Sequence, residues 1–294
     1  MRSVLRATDH REGRGGPFAI LQCAACGHGV TDPVPDDLAA WYPTTYPQHG
    51  DRDGLTGRIV AAAVRHTAHT RRCSPAIERV VPDAALGGPI DAGARVLDVG
   101  AGSGAFVRAL RDVGVDAHGV EPSVNAVAAA HNAGCDTVVL GTLEDAALPY
   151  DCWDLIRIHH ALEHVPDPIA TLCTARGSLS ASGRMVVVVP NFDGLGRRLF
   201  GASWDGLELP RHLHHFTRSS LAWAIGRAAL TSQTTRTVAV FGCLGGSLDA
   251  RVHRGQRQQG WGRSLPLRVS LYPVEVAIAS LGGGDGDLTI VAPA

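Results

Sequence analysis

The sequence has no lysine: all 27 of its basic side chains are arginine. A hydride relay of the Tyr-x-x-x-Lys kind is therefore closed to it. Beside the many alanines and glycines, the arginine bias reads as the imprint of a GC-rich genome rather than as chemistry. No apolar run approaches the ~20 residues that a membrane helix needs, so no membrane span is expected. Met1 to Gly16 is charged and lacks an apolar core, so no secretory signal is expected there. A strong charge of either sign is missing too: the net charge is −1, which argues against a broad nucleic-acid-binding face. Cysteine is sparse and odd in number, seven in 294 residues, which points to reduced thiols and a cytoplasmic setting. That length suits one large domain with small additions and easily buries a core.

What is present is organised around Arg95–Phe106. Val96, Leu97 and Val99 make a short apolar strand, and Gly100, Gly102 and Gly104 make a turn that lets the backbone approach a ligand closely. Phe106, Val107, Leu110 and Val113 then recur at helical spacing. Such a strand–turn–helix unit opens a nucleotide-type site, because the helix start offers unpaired N–H groups. The glycines alone also fit the dinucleotide pattern G-x-G-x-x-G/A. Asp98 separates the two readings: a carboxylate there repels a pyrophosphate and favours a ligand carrying an ammonium, such as S-adenosylmethionine (SAM). A second strand, Val115 to Glu121, ends in an acid placed to hold the two hydroxyls of a ribose.

These residues resemble the first two motifs of the class I SAM-dependent methyltransferases, with VLDVGAGSG followed by GVEPS. A third block, Trp153 to Pro168, resembles their FDLI…LEHVxDP stretch, and Leu209 to Thr217 resembles the PxHLxHFT loop of one subgroup. From 94 to 190 strands and helices alternate, the mark of a doubly wound parallel sheet. The expected fold is therefore α/β: a Rossmann-like, mostly parallel seven-stranded sheet with an antiparallel last strand, plus a small N-terminal cap. The resemblance implies SAM as cofactor. Asp98 would sit at its methionine end beside Gly100, Gly102 and Gly104, and Glu121 with Pro122 at its ribose. Leu143 and Glu144 would lie at its adenine, and His159 and His160 where cofactor and acceptor meet. The implied reaction is methyl transfer to a small-molecule acceptor. A hydroxyl with a His general base is favoured, His160 first and His212 or His215 second. The competing functions are an NAD-dependent oxidoreductase and a non-catalytic binding module.

Three regions are expected: a cap over 1–50, a helical lid and linker over 51–93, and the SAM-binding domain over 94–294. In the cap, Cys23-x-x-Cys26-Gly27 is half of a zinc ribbon. A second Cys-x-x-Cys is missing, and His10 and His28 are poorly spaced to replace it, so a degenerate ribbon without zinc is favoured. Asp32-Pro33-Val34-Pro35 with Tyr42 and Tyr46 is similar to the ribbon-bearing subgroup, which implies that these tyrosines line the cofactor entrance. His160, Glu163 and His164 share a helical face and could hold a divalent metal, but a structural role is favoured and no metal is expected. Arg157, a charge inside a central strand, needs either water or a buried acid. Residues 251–263 read as an arginine-rich mobile loop and 265–281 as a helix pair.

Overall fold

A computed structural model describes residues 1–42 apart from 10–12 and 14, residues 93–253 apart from 113, 147 and 150, residues 264–294, and Ile90, Gly260 and Trp261. The helices expected before residue 90, most of the 251–263 stretch, His10 and Tyr46 lie outside the described residues.

The N-terminal strands are β1 (Arg2–Ala7), β2 (Phe18–Gln22) and β3 (Gly29–Asp32). The main sheet follows with β4 (Arg95–Val99), helix α1 (Ala105–Arg111), β5 (Asp116–Glu121), α2 (Val124–Asn132), β6 (Val138–Leu140), β7 (Trp153–His159), α3 (Pro168–Ser178) and β8 (Leu179–Pro190). A long connection holds α4 (Leu195–Phe200) and the two-residue strand β9 (His214–His215). The chain closes with α5 (Arg218–Arg227), β10 (Leu230–Val238), α6 (Cys243–Val252), α7 (Leu265–Ser280) and β11 (Gly286–Pro293).

The seven-stranded sheet runs β6-β5-β4-β7-β8-β11-β10, with β11 inserted antiparallel between β8 and β10. The α/β fold with its antiparallel last strand is thus as expected. The first five strands in that order pair in parallel; β4, β7 and the second half of β8 are buried on both faces, while edge strand β6 leaves Val139 and Leu140 exposed. Val96 packs with Phe106, Val107 and Leu110 of α1, while Leu97 and Val99 pack with Leu172 of α3 and Leu221 of α5. Helix starts are written into the sequence. Asp167 accepts N–H bonds from Ile169 and Ala170 at 3.0 Å, with Pro168 following it, and Thr217 and Ser220 form a reciprocal cap on α5.

Residues 265–281 were expected to form a helix pair, whereas α7 is one helix of 16 residues with Pro273 inside it. Proline there removes a bond to the Val269 carbonyl. Val269 is half exposed, so that carbonyl lies on the wet side of the helix and the break is tolerated.

The cap is not isolated from the later loop. β9 pairs antiparallel with β3 to complete a four-stranded sheet, β1-β2-β3-β9. Phe18 and Ile20 pack against Trp204, Leu207 and Leu209 of the long connection. Arg211, fully buried, donates to both oxygens of buried Asp9 at 3.0 and 3.2 Å and to the Trp41 carbonyl at 2.9 Å.

Candidate functional site

The strand ends place the candidate residues along one edge. Gly100 has φ +75°, and a Cβ on it would come within 2.8 Å of the Ala161 Cβ, so both its conformation and its neighbour demand glycine. The next turn amide, Gly102 N–H, donates to Glu121 Oε2 at 2.8 Å, and Ser123 N–H donates to Oε1 at 2.9 Å. Burial raises the Glu121 pKa, an effect opposed by those two bonds. Each oxygen keeps a lone pair for a hydroxyl donor. Because the Gly102 amide already faces a carboxylate, a phosphate at this turn would meet like charge.

Asp98 has a different partner from the one its position suggested. Its Oδ1 lies 2.8 Å from Arg157 Nη1, and both side chains are buried. The Arg157 guanidinium also covers the Phe106 ring at 4.2 Å. This settles the puzzle of Arg157, which meets a buried acid. The same ion pair gives Asp98 a protein partner at the position where a ligand ammonium was expected.

Pro122 is exposed beside Glu121, and His159 packs edge-on against His160 at 4.5 Å between ring centroids. Leu143 is buried in the core cluster with Leu162 and Leu172. Glu144 accepts from the Thr171 hydroxyl of α3. Both residues assigned to adenine are therefore directed at protein neighbours.

The residues after β7 and the loop before β9 meet around a cavity of about 100 Å³. His160, Glu163, His164, Asp205, Glu208, His212 and Asp285 supply its polar lining. His160, held at φ +51°, places Nδ1 3.3 Å from Glu163 Oε1. Glu163 has no exposed surface, and its Oε2 has no hydrogen-bond partner. His212 Nδ1–H donates to the Gly206 carbonyl at 2.9 Å, and its Nε2 lies 3.5 Å from Glu208 and 3.9 Å from Glu163. His164 Nδ1 lies 2.9 Å from the Arg211 carbonyl and from the Tyr42 hydroxyl. Burial raises the Tyr42 pKa, so this cap residue stays a neutral phenol. One ligand atom each from Glu163, His164 and His212 lie within 4.8 Å of one another, a set that suits a divalent cation. His164 and His212 come from separate segments, so their meeting is not visible in the spacing. The motif suggested His160 in that set, where the fold supplies His212.

His215 is not in the cavity, which corrects its candidacy as a base. It is buried in the cap seam, where its Nε2–H donates to Thr31 Oγ1 at 2.9 Å while that hydroxyl donates to the His212 carbonyl. Burial lowers its pKa to about 3, and burial also lowers that of neighbouring His28 to about 4. Both rings should therefore remain neutral in the folded protein at pH 5. Proton-detected nitrogen spectra of the imidazoles check this, and a charged ring at that pH would contradict it. The sign follows: unfolded imidazoles bind protons that the buried ones refuse. Their contribution to stability is full above about pH 6.5 and is lost as the pH falls, towards 4 for His28 and towards 3 for His215.

A family model described as a methyltransferase domain matches residues 64–233, more than half of the chain. The protein belongs to this methyltransferase family. The mostly parallel seven-stranded sheet is consistent with that methyltransferase domain. Among curated proteins, the methyltransferase is 29% identical over 133 residues to a ubiquinone biosynthesis O-methyltransferase of Xanthomonas oryzae, covering 42% of this chain and 56% of the relative. It is 30% identical over 132 residues to the protein of that description in Xanthomonas campestris, covering 42% of this chain and 55% of the relative. The match thus spans little more than half the length of these relatives. Among solved structures, the Haloferax volcanii complex of the Trm112 methyltransferase activator with a putative methyltransferase matches with TM-score 0.53 and 19% identity. That match covers 89% of this chain and 100% of the other, and it shows the shared fold. Among the described residues, no helix of the methyltransferase is long and apolar enough to cross a membrane.

Proposed function

We propose that this methyltransferase methylates a hydroxyl of a small-molecule acceptor, with His160 as general base. The observation that carries this reading is the pair of His160 with buried Glu163 on the wall of the cavity. Glu163 accepts the Nδ1 proton, which fixes Nε2 as the proton acceptor and stabilises the imidazolium that forms. His212 has the same tautomer and is the second candidate.

The residues around the glycine turn fit an adenosyl ligand. Glu121 would accept from the ribose hydroxyls through lone pairs that Gly102 and Ser123 leave open. Gly100 keeps the turn bare. Asp98 would act through Arg157, holding the turn rather than touching the ligand. Bound SAM supplies an electrophilic methyl, so that an O–CH3 bond forms as the S–CH3 bond breaks. The protein's own contribution is alignment and removal of the hydroxyl proton to His160. In this reading 94–294 is the SAM-binding domain and 1–50 a cap whose Tyr42 reaches His164 and whose Asp9 braces the loop before β9 through Arg211. The O-methyltransferase relatives support the choice of oxygen.

Glu121→Ala should weaken SAM binding at least tenfold, read by calorimetry; unchanged affinity would remove the ribose assignment. The reading as a whole is tested by supplying SAM with hydroxyl acceptors and locating the new methyl by carbon NMR. A methoxy signal supports it, and a methyl delivered to nitrogen or carbon overturns it.

A further inference from the structure

We propose that the acceptor is a cation: a hydroxyl compound carrying a protonated amine, seated among Glu163, Asp205, Glu208 and Asp285. This inference rests on the methyl-transfer reading above and names the class of its second substrate.

Four carboxylates line one small cavity, and the described lining contains no basic side chain other than imidazole. Glu163, Asp205 and Glu208 are buried. The nearby cation is Arg211, with Nε 3.5 Å from Glu208, but Asp9 already holds the same guanidinium through both oxygens. Asp285 Oδ1 receives the Trp204 indole N–H at 2.9 Å, a neutral donor. Burial, with Asp205 adding to it, raises the Asp285 pKa to about 6. Most telling is Glu163, whose Oε2 is buried on the cavity without a hydrogen-bond partner. Buried negative charge of this kind is costly until a positive group meets it. An anionic acceptor would add to the repulsion.

The cation's size is bounded by the cavity, which at about 100 Å³ admits a small ammonium-bearing headgroup. A divalent metal on Glu163, His164 and His212 would leave Asp205 and Asp285 outside its ligand set. An organic cation, with its N–H donors spread over several ångströms, reaches more of the four acids.

Three small hydroxyl probes of different charge test the proposal: 2-aminoethanol as its cation, ethylene glycol and glycolate. Each is titrated by calorimetry into full-length protein loaded with S-adenosylhomocysteine, which fills the cofactor site. The cation is expected to bind at least tenfold tighter than ethylene glycol, with glycolate weakest. Asp205→Asn and Asp285→Asn, which keep shape and hydrogen-bonding oxygen, should each reduce that preference at least threefold. Equal binding of the three probes, or tighter binding of glycolate, overturns the proposal. So does saturation by Mg2+ or Zn2+ with no binding of the organic cation. Loading with S-adenosylhomocysteine is itself measured first, so loss of the methyltransferase reading shows as failure of that step and not as loss of probe preference.

Discussion

His160→Ala is expected to lower turnover on a hydroxyl acceptor by roughly 10²–10⁴ while leaving SAM affinity almost unchanged. The reason is the division of labour at the site. In the proposed reading the cofactor-facing groups are the glycine turn and Glu121, whereas His160 lies with Glu163 on the cavity wall. Loss of the imidazole removes the proton acceptor and leaves the adenosyl-facing groups in place. Measurement of kcat at saturating SAM, together with calorimetric SAM affinity, checks both halves. If turnover survives in His160→Ala and is abolished in His212→Ala, the base lies on the later loop, on the imidazole facing Glu208.

The largest expected loss of stability comes from a residue far from any motif. Asp9→Ala should destabilise the protein by about 3 kcal/mol, because it strands a buried guanidinium. Arg211 and Asp9 are each about 1% exposed at the side chain, and two N–H bonds join them. The Trp41 carbonyl and Glu208 keep part of the charge satisfied, which holds the loss to the lower end of the range for broken buried pairs. Chemical denaturation measures it. The double variant Asp9→Ala with Arg211→Met should recover part of the loss, since removing both partners leaves no orphaned charge. A single variant as stable as the parent protein would show that the pair does not hold the cap to the loop.

The centre of the main sheet was legible because β4 and the second half of β8 are buried on both faces and read as short, mostly apolar runs. β4 runs from Arg95 to Val99 as the pattern predicts, and Glu121 ends β5 beside the glycine turn. Less legible was anything that depends on contacts between distant segments. A two-residue strand has no periodicity, so the pairing of His214 and His215 with β3 left no trace, and His215 read as an accessible base rather than a buried seam residue. Asp98 was visible as an acid before a glycine turn, but its partner Arg157 lies two strands' worth of sequence away. The 265–281 stretch read as a helix pair, although the structure carries one helix through Pro273. The cavity itself draws Glu163, His212 and Asp285 from three separate stretches. Only the imidazoles and the acid of the LEHV motif announced it.

The central claim is that the glycine turn and Glu121 receive an adenosyl ligand without phosphate. Calorimetric titration of the purified protein with SAM, and separately with NAD, tests it most directly. Saturable binding of SAM, and none of NAD, is the predicted result. Binding of NAD with no heat from SAM would contradict it.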